Sequence, residues 1–461
     1  MTYKNQTLRA LLLPLFIGSL SATSVPALAN DQTEIERLKN LIEELDQRVK
    51  VLDRKREIAS EEASAKQKSA PVLVAGENGF GFKSADGQFE YKLRGLLQLD
   101  YRNFDGDAFP AAINGFTARR IRPTFEGTVF GKYGFRFTPE FGENKAAVVD
   151  AYLDARFDTA AQLRFGKFKP AVGLERLQGG GDIKFIERSY VSNNILPNRD
   201  LGLSLSGEVL NKKLNYAFGV FNGVSDGGEN TTAQDVNSEK EFAARIFTTP
   251  FNDSDNFLRG LGFGVGGTFG NSTGTTAASN LPSYKTPGQA NTFFNYASSV
   301  FANGQRTRLS PQAHFYNGPV GVIAEYADVS QHVKVGSNTA TLKNDAWQVA
   351  ASWLLTGEDA SFRGVKPYSP FGAHGGLGAW ELVARYQENN IDKDAFTNFV
   401  DTGKANASAA KTWGLGLNWY LNQSSKFALN FEQTSFSGGT GSKKLDGKTE
   451  NFAVARYQLA F

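Results

Sequence analysis

The 461-residue chain contains no cysteine. That excludes disulfides, thiolate metal sites and cysteine nucleophiles. Its one methionine is the initiator, and its three histidines, His314, His332 and His374, are too dispersed for a histidine-based metal cluster. Past the N-terminus no apolar run reaches about 18 residues, which argues against membrane-spanning helices. Charge of either sign is not in excess: 50 Lys and Arg stand against 47 Asp and Glu, a formal net of +3. No basic block marks a nucleic-acid partner. What the chain does have is 48 Gly, 37 Phe and 15 Tyr at a mean hydropathy of −0.35. A polar average rich in aromatics and glycine is natural for an outer-membrane β-barrel, whose strands turn apolar residues to lipid and polar residues to the lumen.

Residues 1–29 read as a cleaved signal peptide. Lys4 and Arg9 supply the positive end, Leu11–Leu20 the short apolar core, and Ala27-Leu28-Ala29 the processing site before Asn30. An uncleaved anchor is disfavoured by the shortness of the core. Within 30–57 a heptad places Ile35, Ile42 and Val49 at a and Leu38, Leu45 and Leu52 at d. This predicts a short periplasmic coiled coil, a spacer roughly 35 Å long. The alternative is an amphipathic helix lying on its own barrel. Residues 58–78, rich in Ala, Ser, Lys and Glu with Pro71, are expected to be a flexible linker.

From Phe89 the period becomes two. Phe89, Tyr91, Leu93, Leu97, Leu99 and Tyr101 alternate with Glu90, Lys92, Arg94, Gln98, Asp100 and Arg102. A one-residue slip would put Lys92, Arg94 and Arg102 into lipid at about 2–4 kcal/mol each near the midplane, so the register is fixed. Sixteen such segments run from 89–102 to 451–461, which predicts an all-β, sixteen-stranded antiparallel transmembrane barrel over 79–461, preceded by the coiled coil. Short joints such as Gly131-Lys132 alternate with long ones such as 170–199 and 271–306, placing both barrel termini on the periplasmic side. The joint 355–378 should be short by this rule and is long. The chain stops on an alternating strand ending at Phe461, as bacterial outer-membrane proteins do. A soluble lectin-like sandwich does not account for these features together.

No catalytic arrangement emerges, and no cofactor or metal is implied. Gly262–Gly267 matches G-x-G-x-x-G but lies in an alternating strand with no helix after it. Ser310 and His314 make no recognisable nucleophile–base pair. Charge placement is more informative. Arg120 and Arg122 share a phase on the second segment, with Arg119 out of phase and so at the rim or in a bulge. Lys167 and Lys169 end the fifth segment before Pro170, and 170–199 adds Arg176 and Arg188. A long segment here is well placed to fold into a sixteen-strand lumen, which is otherwise an open channel. Converging Arg and Lys would then make an anion path. The alternative is that Glu126, Glu140, Asp150 and Asp154 balance these cations, giving a general or carbohydrate porin.

Phe89–Tyr101, Ala118–Gly127, Leu163–Arg176, Ile186–Ser189, Gly378–Tyr386 and Lys411–Tyr420 together resemble the phosphate-selective porin O and P family of outer-membrane proteins. The resemblance implies a homotrimer in outer-membrane lipid passing phosphate, polyphosphate or similar small anions. Arg119 and Arg120 match an arginine ladder, Lys92 a lumen lysine and Arg188 a constriction arginine. Arg176 stands where the family has a central lysine, and Arg122 and Lys169 where it has aromatic rings. Leu96 and Gly134 replace a ladder arginine and a second central lysine, with Arg94 two residues before Leu96. The anion pathway implied is therefore Lys92, Arg94, Arg119, Arg120, Arg122, Lys167, Lys169, Arg176 and Arg188. Residues 71–461 carry a net charge of only +2, so any anion preference must come from where these cations sit.

Overall fold

A computed structural model describes residues 31–76, 79–230, 238–372 and 375–461. The expected signal peptide and His374 lie outside the described residues. The chain divides into two compact units, one ending at Ala70 and the other spanning Pro71–Phe461.

The first unit is one helix, α1 (Asp31–Ser69). It corrects the expected linker, because 58–69 continues the helix. Glu, Ala, Lys and Gln dominate there, and all are good helix formers even without an apolar stripe. The heptad positions stand exposed along it, Ile42 at 64% and Leu52 at 60%.

The second unit is a closed barrel of sixteen antiparallel strands. They are β1 (Glu90–Asp105), β2 (Gly115–Val129), β3 (Tyr133–Glu140), β4 (Ala147–Arg156), β5 (Gln162–Phe168), β6 (Asp200–Val209), β7 (Leu214–Phe221) and β8 (Glu241–Thr248). Then follow β9 (Leu261–Thr273), β10 (Phe301–Asn317), β11 (Val320–Val335), β12 (Asn338–Leu354), β13 (Ala379–Asn390), β14 (Ala409–Tyr420), β15 (Ser425–Ser437) and β16 (Thr449–Ala460). Each pairs with its sequence neighbour, and β16 closes on β1 from Asn451↔Asp105 to Ala460↔Leu96. The remaining edge of β1, Glu90–Leu93, is covered by a hairpin of Val72–Gly76 and Gly79–Lys83, which moves the open edge onto the short outer strand. The first strand of that hairpin, Val72–Gly76, also falls within the segment expected to be linker.

The register follows the period of two. Leu99 and Tyr101 are exposed on the outside while Gln98, Asp100 and Arg102 are buried inside. Arg119 is the extra residue of a bulge, since Gln98 pairs with Arg120 and Leu99 with Ala118. The bulge lets Arg119 and Arg120 both reach the lumen, which a regular strand would forbid.

Long joints occupy the lumen. Residues 169–199, between β5 and β6, cross to the opposite wall. There Glu325 of β11 accepts the amides of Leu174 and Glu175, Gln387 of β13 accepts that of Tyr190, and Asn430 of β15 that of Ile186. At the end carrying the long joints, Tyr190, Phe293, Phe294, Tyr296, Phe399 and Phe436 form part of an apolar cluster with inward strand residues. The long 355–378 joint folds against the other end. Val365 and Ala360 pack with Leu354, Ala379 and Tyr420, and the Phe362 carbonyl accepts from Gln178 Nε2 at 3.0 Å. Its length, which breaks the short-turn rule, is used to reach the lumen segment.

Candidate functional site

Two cavities lie along the β1–β5 wall. One, of about 540 Å³, lies toward the long-joint end and is lined by Arg119, Arg120, Lys167, Arg176 and Arg188 among others. The other, of about 580 Å³, lies toward the short-turn end and is lined by Arg94, Arg136, Arg164, Lys169, Arg363 and Lys366 among others. Arg122 and Arg199 line both, so they mark the junction between the two.

Many lumen cations are matched. Arg199 pairs with Asp150 at 2.8 Å, Lys167 with Glu229 at 3.2 Å and Arg164 with Asp154 at 2.7 Å. Arg122 pairs with Glu140 and Arg136 with Glu126. These pairs supply the charge balance anticipated from Glu126, Glu140, Asp150 and Asp154. Three cations of the segment between β5 and β6 are different. Among the described residues, Lys169, Arg176 and Arg188 have no carboxylate within ion-pair distance. Lys169 Nζ donates to the Gln178 carbonyl at 2.9 Å and Arg188 Nη2 to the same oxygen at 2.7 Å. Arg176 donates to Asn198 Oδ1 at 3.0 Å and to the Ser192 carbonyl, and its buried Nε has no acceptor. Carbonyl and amide oxygens orient these groups without neutralising them, which leaves positive charge available to a solute. Enclosure, together with the guanidiniums of Arg188 and Arg199, holds the Lys169 ammonium well below its ordinary pKa.

The structure brings together most of the residues expected from sequence. Arg94, Arg122 and Lys169 line the second cavity, and Arg119, Arg120, Arg122, Lys167, Arg176 and Arg188 the first. Lys92 is placed elsewhere. It lies where β1 pairs with the hairpin, bonds Glu90 at 2.8 Å and lines neither cavity. The sequence pattern did not single out Arg199, the last residue of the 170–199 stretch. It also missed Arg363 and Lys366, which sit on a joint expected to be a turn.

The phosphate-selective porin O and P family model matches residues 89–461. Porin O of Pseudomonas aeruginosa is 25% identical over 400 residues, covering 78% of this chain and 86% of that protein. Among solved structures, an anion-selective porin from Comamonas acidovorans aligns at TM-score 0.51 and 12% identity, covering 81% of this chain and all of its own. The outer-membrane channel DcaP of Acinetobacter baumannii aligns at TM-score 0.51 and 11% identity, covering 83% and 99%.

Proposed function

The chain belongs to the phosphate-selective porin O and P family, and from that premise we propose that its pore passes phosphate, polyphosphate or similar small anions by diffusion. The observation that carries this reading is the run Lys169, Arg176 and Arg188, three cations on one lumen segment held by neutral oxygens. A solute enters through the cavity lined by Arg119, Arg120 and Lys167, passes Arg122 and Arg199, and leaves through the cavity lined by Arg94 and Lys169. Fixed guanidiniums grip two phosphate oxygens at once, and the ion pairs flanking them keep the total charge near neutral so that the solute is released.

Reconstitution in a planar bilayer tests this. In a KCl gradient the reversal potential takes the sign of anion preference, and phosphate blocks chloride current. Cation preference would overturn the reading. A second reading, a general or carbohydrate porin, draws on the matched pairs Arg122–Glu140, Arg199–Asp150 and Lys167–Glu229. Liposome swelling by neutral sugars as fast as by phosphate would favour it.

The same reading places the barrel in the outer membrane as a trimer after signal-peptide cleavage, with both barrel termini periplasmic. α1 then stands in the periplasm, its exposed Ile and Leu seam joining other copies as a coiled coil. β-Branched a positions with Leu at d favour dimers, but three heptads are weaker than a barrel interface, so three-stranded association follows the barrel.

A further inference from the structure

The arginines at the long-joint end already hold an anion, and it belongs to the chain. Glu187, on the lumen segment, is 1% exposed. Its carboxylate lies 2.6 Å from Arg119 Nε and 2.8 Å from Arg102 Nη2, with Arg456 Nη2 at 3.6 Å and Arg120 Nη2 at 3.7 Å. Four guanidiniums from β1, β2 and β16 thus converge on one side chain from a different part of the chain. Asp100 shares Arg102 and Arg456, and Arg119 and Lys145 share Glu143, so positive charge still exceeds negative. Neighbouring backbone holds the carboxylate in place. The Glu187 carbonyl accepts from Arg385 at 3.0 Å and the Ile186 carbonyl from Arg456 at 2.8 Å.

Arg119 and Arg120 meanwhile line the cavity at that end. A solute anion there competes for guanidiniums whose charge Glu187 has largely spent. We propose that Glu187 is the resident counter-anion of these arginines, and that its charge sets how tightly a phosphate-like dianion is held at this end of the pore. This rests on the anion-pore reading. It adds that the residue governing grip is an acid, and that the ladder is kept weak so that solutes move on to Arg122 and Arg199.

The experiment compares full-length wild type, Glu187→Gln and the double variant Glu187→Gln with Arg102→Gln in planar bilayers. Inorganic phosphate is the blocker of chloride current, and reversal potential in a KCl gradient is the second readout. Glu187→Gln keeps the shape and removes one charge. It is expected to lower the half-blocking phosphate concentration roughly tenfold and to increase anion preference. The double variant restores the net charge while loosening the anchor further, so both readouts should return toward wild type. Equal block in Glu187→Gln and wild type would overturn the proposal, as would a double variant that behaves like the single one. Should Glu187→Gln not assemble, Arg102→Gln alone shifts the cluster the other way and must weaken block, unchanged block being again fatal. A wild type that prefers cations would instead sink the pore reading, independently of any variant.

Discussion

Lys169 and Arg188 share one acceptor. Lys169 Nζ and Arg188 Nη2 both donate to the carbonyl oxygen of Gln178, at 2.9 and 2.7 Å. Two cations drawn to one neutral oxygen repel each other, and an anion between them relieves that repulsion. Replacing Arg188 by Ala is therefore expected to raise the phosphate concentration that half-blocks chloride current by about tenfold, since one bidentate donor of the set is lost. Lys92→Ala, at a β1 residue that itself lines neither cavity, should leave the block unchanged. Equal effects of the two would remove Arg188 from the path.

The same pair gives a pH dependence. The Lys169 ammonium is held well below its ordinary value by enclosure and by Arg188 and Arg199. A lowered lysine pKa means that the charge is present at low pH and is lost before an ordinary lysine would lose it. Anion preference should therefore decline as pH rises toward the ordinary lysine range near 10.4. Lys169→Arg should flatten that decline, because guanidinium stays charged. Reversal potentials measured across that range check both.

The strands were legible because lipid outside and water inside impose a period of two that each segment carries alone. Phe89–Arg102 suffices to set its register, and even the bulge at Arg119 follows from one out-of-phase charge. What was not legible depends on contacts between distant segments. Glu187 is an ordinary acid in a mixed-charge stretch until the fold sets it beside Arg119, 68 positions earlier. Arg363 and Lys366 could not be assigned to the lumen because nothing local shows that 355–378 turns inward. The helix over 58–69 was misread for a third reason. An exposed helix has no need of an apolar stripe, so periodicity is silent and only propensity speaks.

Glu325 caps the lumen segment, accepting the amides of both Leu174 and Glu175. Glu325→Ala leaves both buried donors without a partner, at about 1–3 kcal/mol each. The segment should then detach from the β11 wall. The expected outcome is larger single-channel conductance with reduced anion preference, while the barrel still resists detergent on unheated gels. Unchanged conductance would show that the segment is held in place by its other anchors alone.

Phe461 extends the ladder that closes the barrel by one more pair. Phe461 accepts from Gly95 N–H at 2.9 Å and donates back to the Gly95 carbonyl at 3.1 Å. A Cβ on Gly95 would stand 2.4 Å from Cζ of the Phe461 ring, so the ring lies where any side chain would go. Gly95→Val must push the ring out or part the strands, a cost of roughly 1–3 kcal/mol for overpacking. Slower folding into lipid vesicles, followed by the gel shift between folded and heated protein, is the expected result. Gly131→Ala, at a turn with open space around the glycine, has only its positive φ of 66° to overcome and should fold closer to the wild-type rate.

The exposed seam of α1 makes a separate prediction about assembly. Ile35, Leu38, Ile42, Leu45, Val49 and Leu52 are each more than half exposed. Burying such a seam against copies of itself is worth about 25 cal/mol per Å² of apolar surface removed from water. Placing Lys at Leu38 and Leu45 puts charge at two d positions and should abolish association of the helix without touching the pore. Single-channel conductance and phosphate block should then match wild type, and crosslinking of the intact protein should still reach a trimer through the barrel. If the seam drives assembly instead, the double substitution leaves only monomers. A crosslinked dimer as the largest wild-type species would overturn the three-stranded arrangement and leave the heptad's own preference for pairs as the rule.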